Sequence, residues 1–196
     1  LLRNGAETDR LVVVDDSQSS IDEANRNGIA AFLGDATSRE ILRRAEVPKA
    51  KHIVITVNRD DTAILATLTA RQLNPHAHIV ASVRAADNVA LLRQSGADGV
   101  VTSSDAVGRL VGLSAVSPDL GATMEDLLSY GEGLDIAQRL VAPSEVGHST
   151  QEIEGERVLG VVRGGLLRRF FDPSVATLKT GDELVVVRPS RRGRQR

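Results

Sequence analysis

The 196-residue sequence contains no cysteine, which excludes disulfides, thiolate metal sites and cysteine nucleophiles. Aromatic residues are 2% of the chain, so the core must be aliphatic. That scarcity also argues against single-stranded nucleic acid as a partner, because its binding platforms stack bases on aromatic rings. A formal net charge of −2 provides no overall steering toward polyanions. No apolar run reaches the roughly 18 residues that a membrane-spanning helix needs. No secretory signal opens at Leu1. The lack of cysteine is compatible with a reducing cytosol without establishing one, and the sequence predicts a soluble piece able to belong to a membrane complex.

What is present begins with Leu11 to Asp16, read LVVVDD. A short continuous apolar run of this kind fits a strand of a parallel sheet covered by helices. Carboxylates at its end, Asp15 and Asp16, lie where open α/β sheets bind ligands; there an acid accepts hydrogen bonds from a ribose hydroxyl. The competing reading is that they only cap the next helix.

The pattern then alternates. A helix is predicted over Ser17 to Asn27, a strand over Ile29 to Leu33, and a helix over Ala36 to Ala45, where Thr37 and Glu40 have capping-box spacing. Strands at 52–57, 78–83 and 99–102 enclose helices at 59–73 and 86–95. This is the signal of βαβ units with right-handed crossovers, hence α/β with helices on both faces of a parallel sheet. The first βα unit of a dinucleotide fold should supply a strand and a glycine-rich loop before Leu1 to Ala6, which reads as a helix end capped by Gly5. Neither precedes it, so the sequence is expected to be cut from a longer chain. Without that first strand, its neighbours in the sheet would keep unpaired backbone groups.

After Asp105 come two amphipathic helices, Ala106 to Val116 and Asp119 to Ser129, with Pro118 in a first-turn position. Their apolar stripes need a cover, either their own domain or a second copy, and the second copy is the reading adopted. Gly131-Glu132-Gly133 predicts the domain boundary, dividing the chain into 1–131 and 132–196. Beyond it lie short strands, with Gly164-Gly165 as a two-residue hairpin turn. A β-rich domain of about 60 residues is near the lower limit for independent stability. The basic end, Arg191 to Arg196, reads as a solvated tail, with attraction to an anionic membrane surface as the alternative.

Asp35 follows the second strand as Asp15 follows the first. The two acids are placed to flank one nucleotide, ribose at Asp15 and adenine at Asp35, with Thr56 and Val57 at the end of the third strand. Gly34-Asp35 is equally ordinary turn chemistry. The four histidines are scattered, and no catalytic arrangement or metal site emerges from their spacing.

The series LVVVDDS, GDATSREILRRAEV, AKHIVITVNRDDTAILATLTAR, IVASVR and LLRQSGADGVVTSSDAVGRLV resembles the regulator-of-potassium-conductance family. RVLGVVRGGLLRRFFDPSVATLKTGDELVVV resembles that family's C-terminal ligand domain. The resemblance implies a Rossmann-like sheet whose first strand is missing here, followed by a small β-rich α+β domain. It implies that Asp15, with Asp16 beside it, is the ribose acid, and that Asp35 of the GDAT motif, with Ala36, is the adenine-side acid. Thr56, Val57 and Arg84 line the same cleft. The ligand implied is NAD or another adenine nucleotide, bound weakly or not at all by these residues alone because the phosphate loop is absent. The partners implied are a homodimer or larger ring and a potassium channel pore or transporter subunit, at the cytoplasmic face of the membrane. The calcium-gated branch carries carboxylates at positions matching Thr56, Ser82 and Arg84, so a calcium site is not expected. The function implied is gating of ion flux without bond chemistry. The alternatives are a fragment of an NAD-dependent dehydrogenase and a structural assembly domain.

Overall fold

The first apolar run becomes a strand, β1 (Val12–Asp15), in the computed structural model, which describes residues 7–129 and 133–190. The helix end expected at Leu1 to Ala6, Gly131 and Glu132 of the expected boundary, and the basic tail lie outside the described residues. After β1 the chain alternates as its periodicity predicts. α1 (Gln18–Arg26) is followed by Gly28 at φ +72°, a left-handed turn that returns the chain to β2 (Ala30–Leu33). α2 (Arg39–Arg44) leads to β3 (His52–Ile55), and α3 (Asp60–Leu73) to β4 (His78–Val83). α4 (Val89–Gln94) then leads to β5 (Gly99–Thr102).

β1 and β2 pair in parallel, from Val12 opposite Ala30 to Asp15 opposite Leu33. β3, β4 and β5 form a second parallel sheet in that order. Among the described residues β1 and β3 do not pair, so each keeps an unpaired edge. Ile55, Ile79, Ala81 and Val83 pack with Leu42, Ala63, Ala66, Ala70 and Leu92 from the flanking helices. Three alanines on one side of α3 bring that helix close to the sheet. Val54 and Val101, at alternate strand positions, are each 51% exposed.

α2 starts later than the sequence predicts, and Thr37 is not its cap. The Asp35 carboxylate takes the Thr37 N–H at 2.7 Å and the Asp35 carbonyl takes the Ser38 N–H at 3.0 Å. Residues 35–38 are therefore a turn, and Ser38 caps the helix through Ile41 N. Similarly, a short 3-10 turn at Ala86–Asn88 precedes α4.

The molecule divides into two compact units between Leu113 and Ser114, within α5 (Ser103–Val116), whereas the glycine pattern places the domain boundary at residues 131–133. The second unit holds α6 (Pro118–Leu128) and four antiparallel strands. These are β6 (Leu134–Leu140), β7 (Arg157–Arg163), β8 (Leu166–Arg169) and β9 (Glu183–Pro189), in the order β6-β9-β7-β8. Gly164 and Gly165 turn between β7 and β8 with φ of +61° and +77°, as a two-residue hairpin loop requires. Val161, Val175, Leu178, Leu184 and Val186 make this unit's core. Beside it the buried Asp182 receives Arg163 Nε at 2.8 Å and Nη2 at 2.6 Å, and the Lys179 N–H at 2.8 Å. One carboxylate thus closes the KTGD turn and neutralises an arginine.

Candidate functional site

The sequence-predicted residues lie at the carboxyl ends of the parallel strands, in two groups. Asp15 and Asp35 form the first. Asp15 is the last residue of β1, and its Oδ1 accepts the Ser17 N–H at 2.9 Å. Asp35 stands just past β2, held close by the Gly34 N–H donating to the Asp15 carbonyl at 2.9 Å. A side chain on Gly34 would meet Ile41 Cδ1 at 2.8 Å, so the glycine of GDAT is a packing requirement. The Thr37 N–H and hydroxyl hold the Asp35 carboxyl below its ordinary value. Each acid therefore shapes its own turn with Oδ1, and its Oδ2 makes no hydrogen bond among the described residues. Asp16 is exposed beside Asp15, and Ala36 packs against the core under Asp35.

The second group sits on the other sheet. Thr56 is exposed and Val57 packs against the core just past β3, and Arg84 follows β4. What joins them is Asp60, a residue the sequence reading did not single out. From the first turn of α3, Asp60 Oδ1 accepts the Arg84 N–H at 2.9 Å. Its Oδ2 accepts the Ala85 N–H at 3.1 Å and Asn88 Nδ2 at 2.8 Å. These three donors, with the nearby Arg84 charge, hold the Asp60 carboxyl below its usual range. The signal in the sequence was the pair Asp60-Asp61 at a helix start, which reads only as dipole complementation. Asp61 takes a bidentate contact from Arg59, at 3.0 and 2.6 Å, and its carboxyl falls to about 2.

The opposite, amino edge of the β3–β5 sheet holds three of the four histidines. His52 and His78 are register partners at the strand starts, with ring centroids 6.2 Å apart, and His76 lies two residues before β4. His78 Nδ1 stands 3.7 Å from Asp98. Arg71 dominates this edge. It donates to the carbonyls of Gly96, Asn74, Pro75 and Ala77 and to the Asp98 carboxylate. Asn74 complements it, donating to the Val47 and Ala50 carbonyls and accepting the His76 and Ala77 N–H groups. Among the described residues no group of three or more potential ligand side chains is disposed to hold a metal ion.

The helices after β5 show a different kind of surface. α5 buries none of its 14 residues, and Val107, Val111, Leu113 and Val116 are exposed along it. Leu120 and Leu128 of α6 are exposed as well. Gly121, buried in α6, lies where any side chain would strike Ser114, so the start of α6 packs tightly on the end of α5. Among the described residues no helix is long and apolar enough to cross a membrane.

Comparison with known proteins agrees with this architecture. "Potassium channel protein 1" of Methanocaldococcus jannaschii is 27% identical over 161 residues, 78% of this chain and 48% of that protein. The chain thus spans about half the length of that relative. The crystal structure of the TrkA-N domain of the Escherichia coli inner membrane protein ybaL is 31% identical. It superposes with a TM-score of 0.50 over 52% of this chain and 76% of that one. The human SLO3 gating ring shares the fold, with a TM-score of 0.68 at 13% identity over 90% of this chain and 43% of that chain. The family model of the TrkA-N domain matches residues 1–103, more than half of the sequence, and the chain belongs to that family.

Proposed function

We propose that this chain is the regulatory module of a potassium channel or transporter at the cytoplasmic face of a membrane, and that it senses an adenine nucleotide. The observation that carries the reading is the pair Asp15 and Asp35 on adjacent strand ends, each holding its own loop with one oxygen while the other is unengaged. The cleft reads the ribose at Asp15 and the adenine side at Asp35. A carboxylate at the ribose repels a 2′-phosphate, so NAD or ADP is preferred over NADP. The family membership and the name of the relative support the link to a potassium pathway.

The reading includes no bond chemistry. A hydride-transfer enzyme needs an acid or base beside its cleft, and three of the four histidines occupy the opposite edge of the sheet. The apolar residues of α5 and α6 are covered by a second copy, which gives a two-fold contact with the same patch on both subunits. Light scattering should report a dimer or larger assembly, and Leu113→Asp should lower the mass; an unchanged mass opposes this interface. A nucleotide shifts such an assembly only by its differential affinity for two arrangements, typically about 5- to 150-fold. The direct test is potassium flux through vesicles carrying the full-length complex, with and without ADP or NAD. A flux that changes by about fivefold or more in the wild type, and not in Asp15→Asn, supports gating. Equal flux in all conditions leaves the module a scaffold.

A further inference from the structure

The amino edge of the β3–β5 sheet carries histidines for which the nucleotide reading has no use, and one cleft gathers two of them. It has a volume of about 510 Å³, within the range of small-molecule sites. Arg71, His76, His78, Arg93 and Asp98 line it, with Pro75 and Ala97 among its apolar members. Two of these charges are spent. Every Arg71 N–H reaches a carbonyl or Asp98, and Asp98 also takes the Ile79 N–H. That pair answers the carbonyls of the edge and adds no net charge. The other three side chains are not spent. The Arg93 guanidinium and the His76 ring are exposed and make no hydrogen bond among the described residues. His78 has Nδ1 at 3.7 Å from Asp98, which leaves Nε2 uncommitted. The backbones beneath are fixed: the His76 N–H ends on Asn74 Oδ1 at 3.1 Å, and the Arg93 carbonyl takes the Gly96 N–H at 3.0 Å.

We propose that this cleft binds a phosphate group, free or as the monoester of a small molecule, with Arg93, His76 and His78 as its contacts. The site lies at the edge opposite the strand ends that carry Asp15 and Asp35, and it stands without the nucleotide reading. Because Arg71 and Asp98 cancel, Arg93 gives the cleft a positive charge, and a protonated imidazole adds to it. The three donors come from α4, from the turn before β4 and from β4 itself. Donors on separate elements suit a tetrahedral oxyanion, which offers acceptors on several sides; a planar carboxylate is filled by one arginine fork. A phosphate group occupies only part of such a volume, which leaves Pro75 and Ala97 for the organic part of an ester. The fixed backbones lower the ordering that a ligand must supply.

The test is phosphorus NMR of inorganic phosphate and of glycerol phosphate, each titrated with the full-length protein at an ionic strength held constant by chloride. The wild type should broaden both resonances. Arg93→Gln should weaken binding by about tenfold, since it removes a charge-assisted donor, and His76→Gln by about fivefold. Both residues are exposed, so the variants should keep the wild-type unfolding curve without phosphate, and either one alone reports on the site. Arg59→Gln removes the same charge at the other edge and should change nothing. Tighter binding of the ester assigns its organic part to the Pro75 and Ala97 side; tighter binding of the free ion restricts the ligand to inorganic phosphate; each upholds the site. A loss in Arg59→Gln equal to that in Arg93→Gln means attraction to surface charge and overturns the proposal. Phosphate that ADP displaces, with affinity unchanged in Arg93→Gln, belongs to the nucleotide cleft and overturns it as well. No broadening by the wild type overturns it outright.

Discussion

The two edges of the β3–β5 sheet carry similar residue types to opposite ends. At the amino edge, Arg71, Asn74 and Asp98 are closed upon the protein itself. The Arg71 guanidinium serves four carbonyls and one carboxylate, and Asp98 also receives the Ile79 N–H at 2.7 Å. Gly96 makes room for that arginine; a side chain there, at φ +106°, would meet Arg71 Cγ at 2.7 Å. At the carboxyl edge Asp60 takes the Arg84 and Ala85 N–H groups and Asn88 Nδ2, while the Arg84 guanidinium donates no hydrogen bond among the described residues. A charged residue whose donors or acceptors are all answered internally is a structural staple. One that keeps unanswered groups beside a strand end is available to a ligand. The comparison assigns roles to arginines and aspartates that composition alone treats as equal.

The largest effect that breaks this contrast is expected at the amino edge. Arg71→Ala leaves several carbonyls and Asp98 without their donor and should cost about 3 kcal/mol in chemical denaturation. Nucleotide affinity measured well below the unfolding transition should be unchanged. A loss under about 0.5 kcal/mol would mean that water replaces the guanidinium and that the amino edge is no staple.

Acid should distinguish the edges more gently. The Ile79 N–H first, then Arg71, hold the Asp98 carboxyl below its ordinary value of 3.8. A carboxyl that is more acidic in the folded state stabilises above its unfolded pKa, and that stabilisation is lost as pH falls through the folded value. Asp98→Asn should therefore be less stable than the wild type at pH 7, and the difference should shrink below about pH 4. A difference that is constant from pH 7 to pH 3 contradicts the ionic role.

Much of this was legible in the sequence, for identifiable reasons. The apolar runs at 12–15, 52–55 and 78–83 are bounded by turn residues, so the parallel strands and their helices follow from periodicity. Gly34 and Gly164-Gly165 announce their turns because only glycine meets the sterics there. Thr37 misleads because two capping patterns overlap: the Thr37–Glu40 spacing is present, but the Asp35 side chain reaches the Thr37 N–H first and delays the helix to Arg39. Asp60 and Arg71 were illegible in principle. Every partner of Asp60 lies 24 to 28 residues away, as do the Gly96 carbonyl and Asp98 that Arg71 reaches, and nothing local distinguishes Asp60 from Asp61. Only the fold brings Arg84 to the first of the two.

The smallest expected effect sharpens the comparison from within one edge. Arg59 and Asp61 make an exposed pair, so Arg59→Ala should change stability by less than about 0.5 kcal/mol. If the variant instead weakens nucleotide binding, the bidentate pair opens for ligand and Arg59 belongs to the site.

The most direct test of the central claim is calorimetric titration of ADP into the full-length protein and into Asp15→Asn, with thermal unfolding of both as the control. The account predicts unfolding curves that coincide and an affinity about tenfold weaker in the variant, because a charged acceptor for the ribose hydroxyl is lost. Equal affinities in two equally stable proteins would contradict it and reduce Asp15 to the residue that turns β1 into α1.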